Sequence, residues 1–153
     1  MSRYMLDSNF CIACLRRKPW ALQALSSVPL ASVAVSALTV GELVLGTHLS
    51  DRSARELAKV EAFIRPIQTI PFGVEESYQW ANIDAQLRKQ GNRIETEDAI
   101  IAATAKTHGM TLVSGNTKHF TRIKGLKVVD WEHQPPKGSP SRTSLKKPVK
   151  DLS

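Results

Sequence analysis

Three carboxylates stand where packing alone would prefer something else. Asp7 closes the apolar run Tyr4-Met5-Leu6, Glu42 interrupts the series Leu38, Val40, Leu43, Val44 and Leu45, and Asp98 heads the run Ala99-Ile100-Ile101-Ala102-Ala103. Clustered carboxylates repel, and each raises its neighbours' pKa unless a cation neutralises the group. A donor set made only of oxygen suits a hard ion, Mg²⁺ or Mn²⁺, better than zinc. Mg²⁺ keeps several waters and binds through one or two protein carboxylates plus a substrate phosphate. The chemistry that fits is in-line hydrolysis of a phosphodiester by a water activated on the metal. Asn116, in Ser114-Gly115-Asn116-Thr117, adds an amide that can bond a water or an acidic ligand.

Taken singly, each residue has a plainer reading. Asp98 in the first turn of a helix gains from the macrodipole, Asp7 can serve as a turn residue after a strand, and Gly115-Asn116 is a common turn pair. Glu42 on a solvent face would do no chemistry. Only the combination points to a site. His48, His108, His119 and His133 are scattered without ligand spacing and receive no metal role. Cys11 and Cys14 form a C-x-x-C, but no second Cys/His pair follows, so they read as part of a buried apolar helix face.

The elements that must position these groups alternate between strand and helix. Tyr4–Leu6 is a buried strand, followed by a helix over about 10–17 with Ser8 and Asn9 as N-cap residue types. Pro19 opens a second helix through Trp20 and Leu25. Val33–Val35 is the next strand, and Ser36 caps a helix that carries Glu42 and ends near Gly46. A helix over about 51–64 precedes an extended piece at 67–70, which Pro71 ends or places on an edge. The helix over about 74–90, closed by Gly91, is expected to bury Tyr78, Ala81, Ala85 and Trp80. Thr96 caps an Ala-rich central helix to His108, and strands at 111–113 and 126–129 follow, with Trp131 packing just after.

Such alternation predicts a three-layer α/β/α sandwich around a mostly parallel sheet of four or five strands. Functional groups then collect beyond the carboxyl ends of the strands, where all three acids can face one cavity. No internal repeat interrupts the pattern, which runs over residues 1–133. From Gln134 to Ser153 prolines, serines and lysines mark a flexible basic extension.

A chain of 153 residues suits a single domain, and its apolar stretches fall far short of the about 20 residues a membrane span requires. The N-terminus lacks the apolar core of a secretory signal, so the expected location is the cytoplasm. The formal charge of +7 and pI near 9.7 favour a polyanionic partner. Lys137, Arg142, Lys146, Lys147 and Lys150 against Asp151 give the extension +4 of that +7, so nucleic-acid affinity is partly a property of the tail.

These residues carry a family resemblance. Tyr4-Met5-Leu6-Asp7-Ser8-Asn9 resembles the Met-Leu-Asp-Thr-Asn opening of PIN-domain toxins of the VapC type. The segment Ser36 to Leu43 with its Glu42, the run Asp98 to Ala103, the segment Leu112 to Phe120 and the closing Leu126 to Trp131 match further family segments in order, over about residues 3–133. The resemblance implies the PIN fold and a Mg²⁺- or Mn²⁺-dependent endoribonuclease acting on RNA as the toxin of a type II toxin–antitoxin pair. It further implies inhibition by a VapB-like antitoxin and a homodimer. Asp7 and Asp98 match metal ligands, Glu42 a catalytic acid beside them, and Asn116 a polar position near the metal. Two departures stand out. Relatives carry an acid where this chain has Lys118-His119, which leaves open whether one metal binds or two. Arg93-Ile94-Glu95-Thr96-Glu97 replaces a Pro-containing approach to Asp98. The alternative is a PIN-like module that has lost catalysis and binds RNA or protein. A phosphoacceptor receiver fits less well, because an adjacent acidic pair would follow the first strand.

Overall fold

The computed structural model describes residues 3–138, and from residue 139 on the expected basic extension lies outside them. Strands β1 (Tyr4–Leu6), β2 (Val33–Ser36), β3 (Gln68–Ile70), β4 (Thr111–Val113) and β5 (Val128–Val129) form one sheet in the order β3-β2-β1-β4-β5. Every pairing is parallel, so the sheet has five strands and is wholly rather than mostly parallel. Pro71 follows β3, and β3 is an edge strand, where a missing N–H is tolerated.

Both faces of the sheet are covered, and the two-residue period of the strands sorts side chains between two cores. Met5, Ala34 and Leu112 join one core with Ile83 and Leu87 of helix α5 (Val74–Lys89) and with Ala99, Ala102 and Ala103 of helix α6 (Thr96–Thr107). Leu6, Val33, Val35 and Val113 join the other. There they meet α1 (Ser8–Leu15), α2 (Pro19–Ser26), α3 (Ala37–His48) and α4 (Ser53–Ile64). The alanines of α6 are small enough to let its backbone approach both the sheet and α5, and the helix is central as expected. Gly91 and Gly109 follow α5 and α6 with φ of 69° and 64°, the left-handed conformation that glycine enters without a Cβ clash.

Several local expectations are corrected. The first helix begins at Ser8 with Asp7 as its N-cap, because β1 runs into α1 without a loop and the Asp7 carboxylate reaches the Phe10 N–H. Neither Ser8 nor Asn9 caps it. Glu95, not Thr96, stands at the N-cap of α6, and its side chain makes no capping bond. The helix carrying Glu42 continues past Gly46 to His48. On α5 Tyr78, Ala81 and Ala85 are exposed, while Ile83 and Leu87 turn inward with Glu76 and Asp84. Apolar residues are sparse on this helix, and the phase that wins buries two acids that find partners. Trp80 does pack against the core, partly buried. The stretch after Asn116 is a short helix, α7 (Thr117–Phe120), and not only a turn.

Candidate active site at the sheet edge

In a parallel sheet all carboxyl ends lie on one edge, and here the chain leaves β1 and β4 in opposite directions, which opens a crevice between them. Asp7 follows β1 at this crevice, and Ser114 and Asn116 follow β4. Asp7 is 6% exposed. It accepts the Phe10 N–H at 2.8 Å and a hydrogen bond from the Ser114 hydroxyl, whose oxygen in turn accepts the Asn116 N–H at 3.0 Å. The Ser36 cap, accepting from the Thr39 N–H at 3.0 Å, starts α3 directly on β2 and sets Glu42 in its second turn. Ser8 then donates to Glu42 Oε1 at 2.6 Å and ties α3 to α1 beside Asp7. Asp98 comes from the first turn of α6.

The electrostatics of Asp7 record the company it keeps. Its carboxyl is raised to about 6, chiefly by burial and to a lesser degree by the charges of Asp98 and Glu42, against the Ser114 and Phe10 hydrogen bonds. Burial also raises Asp98, against the neighbouring His119, with Glu95 and Glu97 adding repulsion. Among the described residues no Lys or Arg forms an ion pair with Asp7, Glu42 or Asp98. The predicted residues therefore lie in one region: Asp98 and Glu42 both act on Asp7, and Asn116 joins them through Ser114 and His119. Among the described residues no three His, Cys, Asp or Glu side chains already converge on one ion-sized point. The donor set is all hard oxygen, and it fits a hard divalent ion.

Sequence reasoning gives His119 no role, although the family resemblance marks Lys118-His119 as a place where many relatives carry an acid; its Nδ1 lies 2.8 Å from Asn116 Nδ2 and 3.6 Å from Asp98 Oδ2. Ser8 and Ser114 were passed over as well. Ser114 follows a strand on the same edge as Asp7, and that positional signal could have singled it out. Cys11 and Cys14 are buried free thiols whose pKa burial raises, Cys14 to about 12, as suits packing and not chemistry.

Comparison with known proteins agrees with this geometry. The PIN domain family matches residues 4–126. Ribonuclease VapC2 of Haemophilus influenzae is 33% identical over 131 residues, 86% of this chain and 99% of that protein. The tRNA(fMet)-specific endonuclease VapC of Shigella flexneri is 30% identical over the same shares. Among solved structures, that of VapBC2 from Rickettsia felis bound to a promoter DNA fragment superposes with a TM-score of 0.79 at 25% identity, covering 84% of this chain and 98% of that one. FitAcB from Neisseria gonorrhoeae gives 0.78 at 28% identity, covering 85% and 99%. A buried Asp7 flanked by two further acids at the end of a five-stranded parallel sheet, together with these likenesses, leads to one assignment: the chain belongs to the PIN-domain family, among the VapC ribonucleases.

Proposed function

We propose that this chain is the toxin of a type II toxin–antitoxin pair, an endoribonuclease that needs Mg²⁺, with Mn²⁺ able to replace it, and that a VapB-like antitoxin inhibits. The observation that carries this reading is Asp7, buried among acids with no Lys or Arg to pair with it. Asp7 and Asp98 would hold the ion, with Glu42 as a third ligand or through a water. The ion when bound supplies an activated water and charge neutralisation at the phosphate. Glu42, held by Ser8, orients the water and takes its proton, while Asn116 and His119 keep Asp98 in place. The net charge of +7 supports RNA as the polyanion, and the extension over 134–153, added to a ribonuclease domain at 1–133, supplies further phosphate contacts.

The partners have surfaces to match. A groove of about 240 Å³ between α1, α3 and α4, lined by Ile12, Leu15, Leu43 and Val60, reaches Glu42, and Leu45 and Leu49 are exposed on the same stretch of chain. It supports an antitoxin that lays an apolar segment there and presents an Arg to the carboxylates. Exposed Phe72, Val74 and Tyr78 support a homodimer through the start of α5. Among the described residues no helix is long and apolar enough to cross a membrane, and the proposed place of action is the cytoplasm.

The deciding experiment incubates the purified chain with single-stranded RNA and Mg²⁺. Asp98→Ala and EDTA should each lower cleavage on the order of 10³-fold. Full cleavage in either would sink the reading, and RNA binding without cleavage, indifferent to chelator and to Asp98→Ala, would identify a catalytically inactive binding module.

A further inference from the structure

Beside the acidic cluster lies a second, smaller cavity of about 130 Å³. The two residues that hydrogen-bond Asp7, Phe10 and Ser114, both form its wall, so whatever fills it sits next to the reacting phosphate. Its floor is aromatic and rigid: Phe10 meets Trp131 edge-on at 5.3 Å and Trp20 at 5.8 Å. Phe10 and Trp131 are buried, whereas Trp20 keeps part of its ring free. At Gly115 a Cβ would meet nothing within 4 Å, which leaves that side open. Drug-sized ligands occupy about 300–1,000 Å³, so this volume suits one planar ring system and not a whole nucleotide.

The polar groups are acceptors held in advance. Asp130 follows β5 on the same sheet edge; its Oδ1 accepts the Glu132 N–H at 3.0 Å and its Oδ2 lies 2.7 Å from His133 Nδ1. Each oxygen has a second lone pair, and the side chain is 20% exposed. A carboxylate with two oxygens matches two adjacent N–H donors. Among nucleobases that pattern belongs to the Watson–Crick edge of guanine, whereas uracil offers one N–H between two repelling carbonyls. Single-stranded RNA is read by aromatic surfaces for the base plane and polar groups for its edge.

The geometry points to a guanine-binding subsite that selects the nucleotide flanking the scissile bond, with Trp20 against the base plane and Asp130 on its edge. This rests on the ribonuclease reading for its place in the reaction. It is tested separately by binding. The full chain carrying Asp7→Asn, with Mg²⁺, is titrated into labelled uridine tracts bearing one central G, A, C or U, followed by fluorescence anisotropy. The G tract should bind about tenfold more tightly than the U tract. Adding Asp130→Asn should cut the preference for G severalfold, while any change from the lost charge is common to all four tracts. Trp20→Leu, which stays apolar but removes the ring, should weaken the G tract selectively, and it carries the test if circular dichroism shows Asp130→Asn unfolded. Equal affinity for all four tracts overturns the subsite, as does a preference that both variants leave intact. Equal affinity together with burial of Trp20 by a partner protein overturns it in favour of a peptide site. Failure of the wild type to cleave the same tracts would count against the ribonuclease reading while leaving the base preference to be read.

Discussion

Asp7 and Asp84 are both buried carboxylates, 6% and 5% exposed, and the chain treats them differently. Asp84, in the middle of α5, receives Arg88 Nε at 2.6 Å from the next helical turn and Arg93 Nε at 3.7 Å. Asp7, at the end of β1, is surrounded by Asp98 and Glu42 instead. A chain with 21 Lys and Arg residues has cations to spare, yet among the described residues none forms an ion pair with Asp7, Glu42 or Asp98. Asp84 is neutralised by the protein itself, whereas Asp7 keeps an uncompensated charge, as the proposed ion site requires. The cost of that arrangement falls on stability.

The comparison breaks most visibly in activity. Glu42→Gln keeps the size of the side chain and its bond from Ser8 but removes the charge, and cleavage rate should fall on the order of 10²-fold while Asp84→Asn leaves it unchanged. Equal losses in the two would mean that these acids do not divide into working and structural ones. Quenched-flow or gel assays at saturating Mg²⁺ give the number.

Stability should move the opposite way. Asp7 is raised from 3.8 to about 6, so the folded state holds this proton more tightly than the unfolded chain. Below about pH 4 the group is protonated in both states and costs nothing. As pH rises from 4 to 6 the unfolded chain ionises first, and above 6 the full penalty is present, about 3 kcal/mol in the metal-free protein. Asp7→Asn keeps an N-cap acceptor and removes that penalty. Urea melts in EDTA at pH 7 should show the variant more stable than the parent by up to that amount, with the gap closing by pH 4. A less stable variant would contradict the picture of an uncompensated charge. For the same reason, at limiting metal concentration the affinity for the ion should weaken as pH falls below about 6, because protons then compete for Asp7.

The smallest effect belongs to the paired acid. Asp84→Ala should cost about 2 kcal/mol, the worth of a charge-assisted hydrogen bond whose Arg88 partner is half exposed and regains water. Cleavage per folded molecule should stay at the parent's value. Thermal melts with activity normalised to folded protein separate the two readouts.

Much of this was legible along the chain because it is local or periodic. The short continuous apolar runs, the Ser36 cap and the positions of Asp7, Glu42 and Asp98 against their neighbours can be read without a structure. So can the parallel sheet, since alternating strands and helices leave few other topologies. The inward face of α5 was not legible: its few apolar residues fit two phases, and the one adopted buries Glu76 and Asp84, beside which only folding sets His108 and Arg93.

The sequence by itself determined the donor types, their order and the fold that gathers strand ends on one edge. The tertiary structure alone decided that Asp7 is buried and unpaired, that Ser114 and Ser8 orient the acids, and that His119 stands beside Asp98 from 21 residues away. The physical reason is that residue type and period are written into the chain. Burial and charge environment arise only from side chains that approach across long separations, and these set both the strength of the site and its cost.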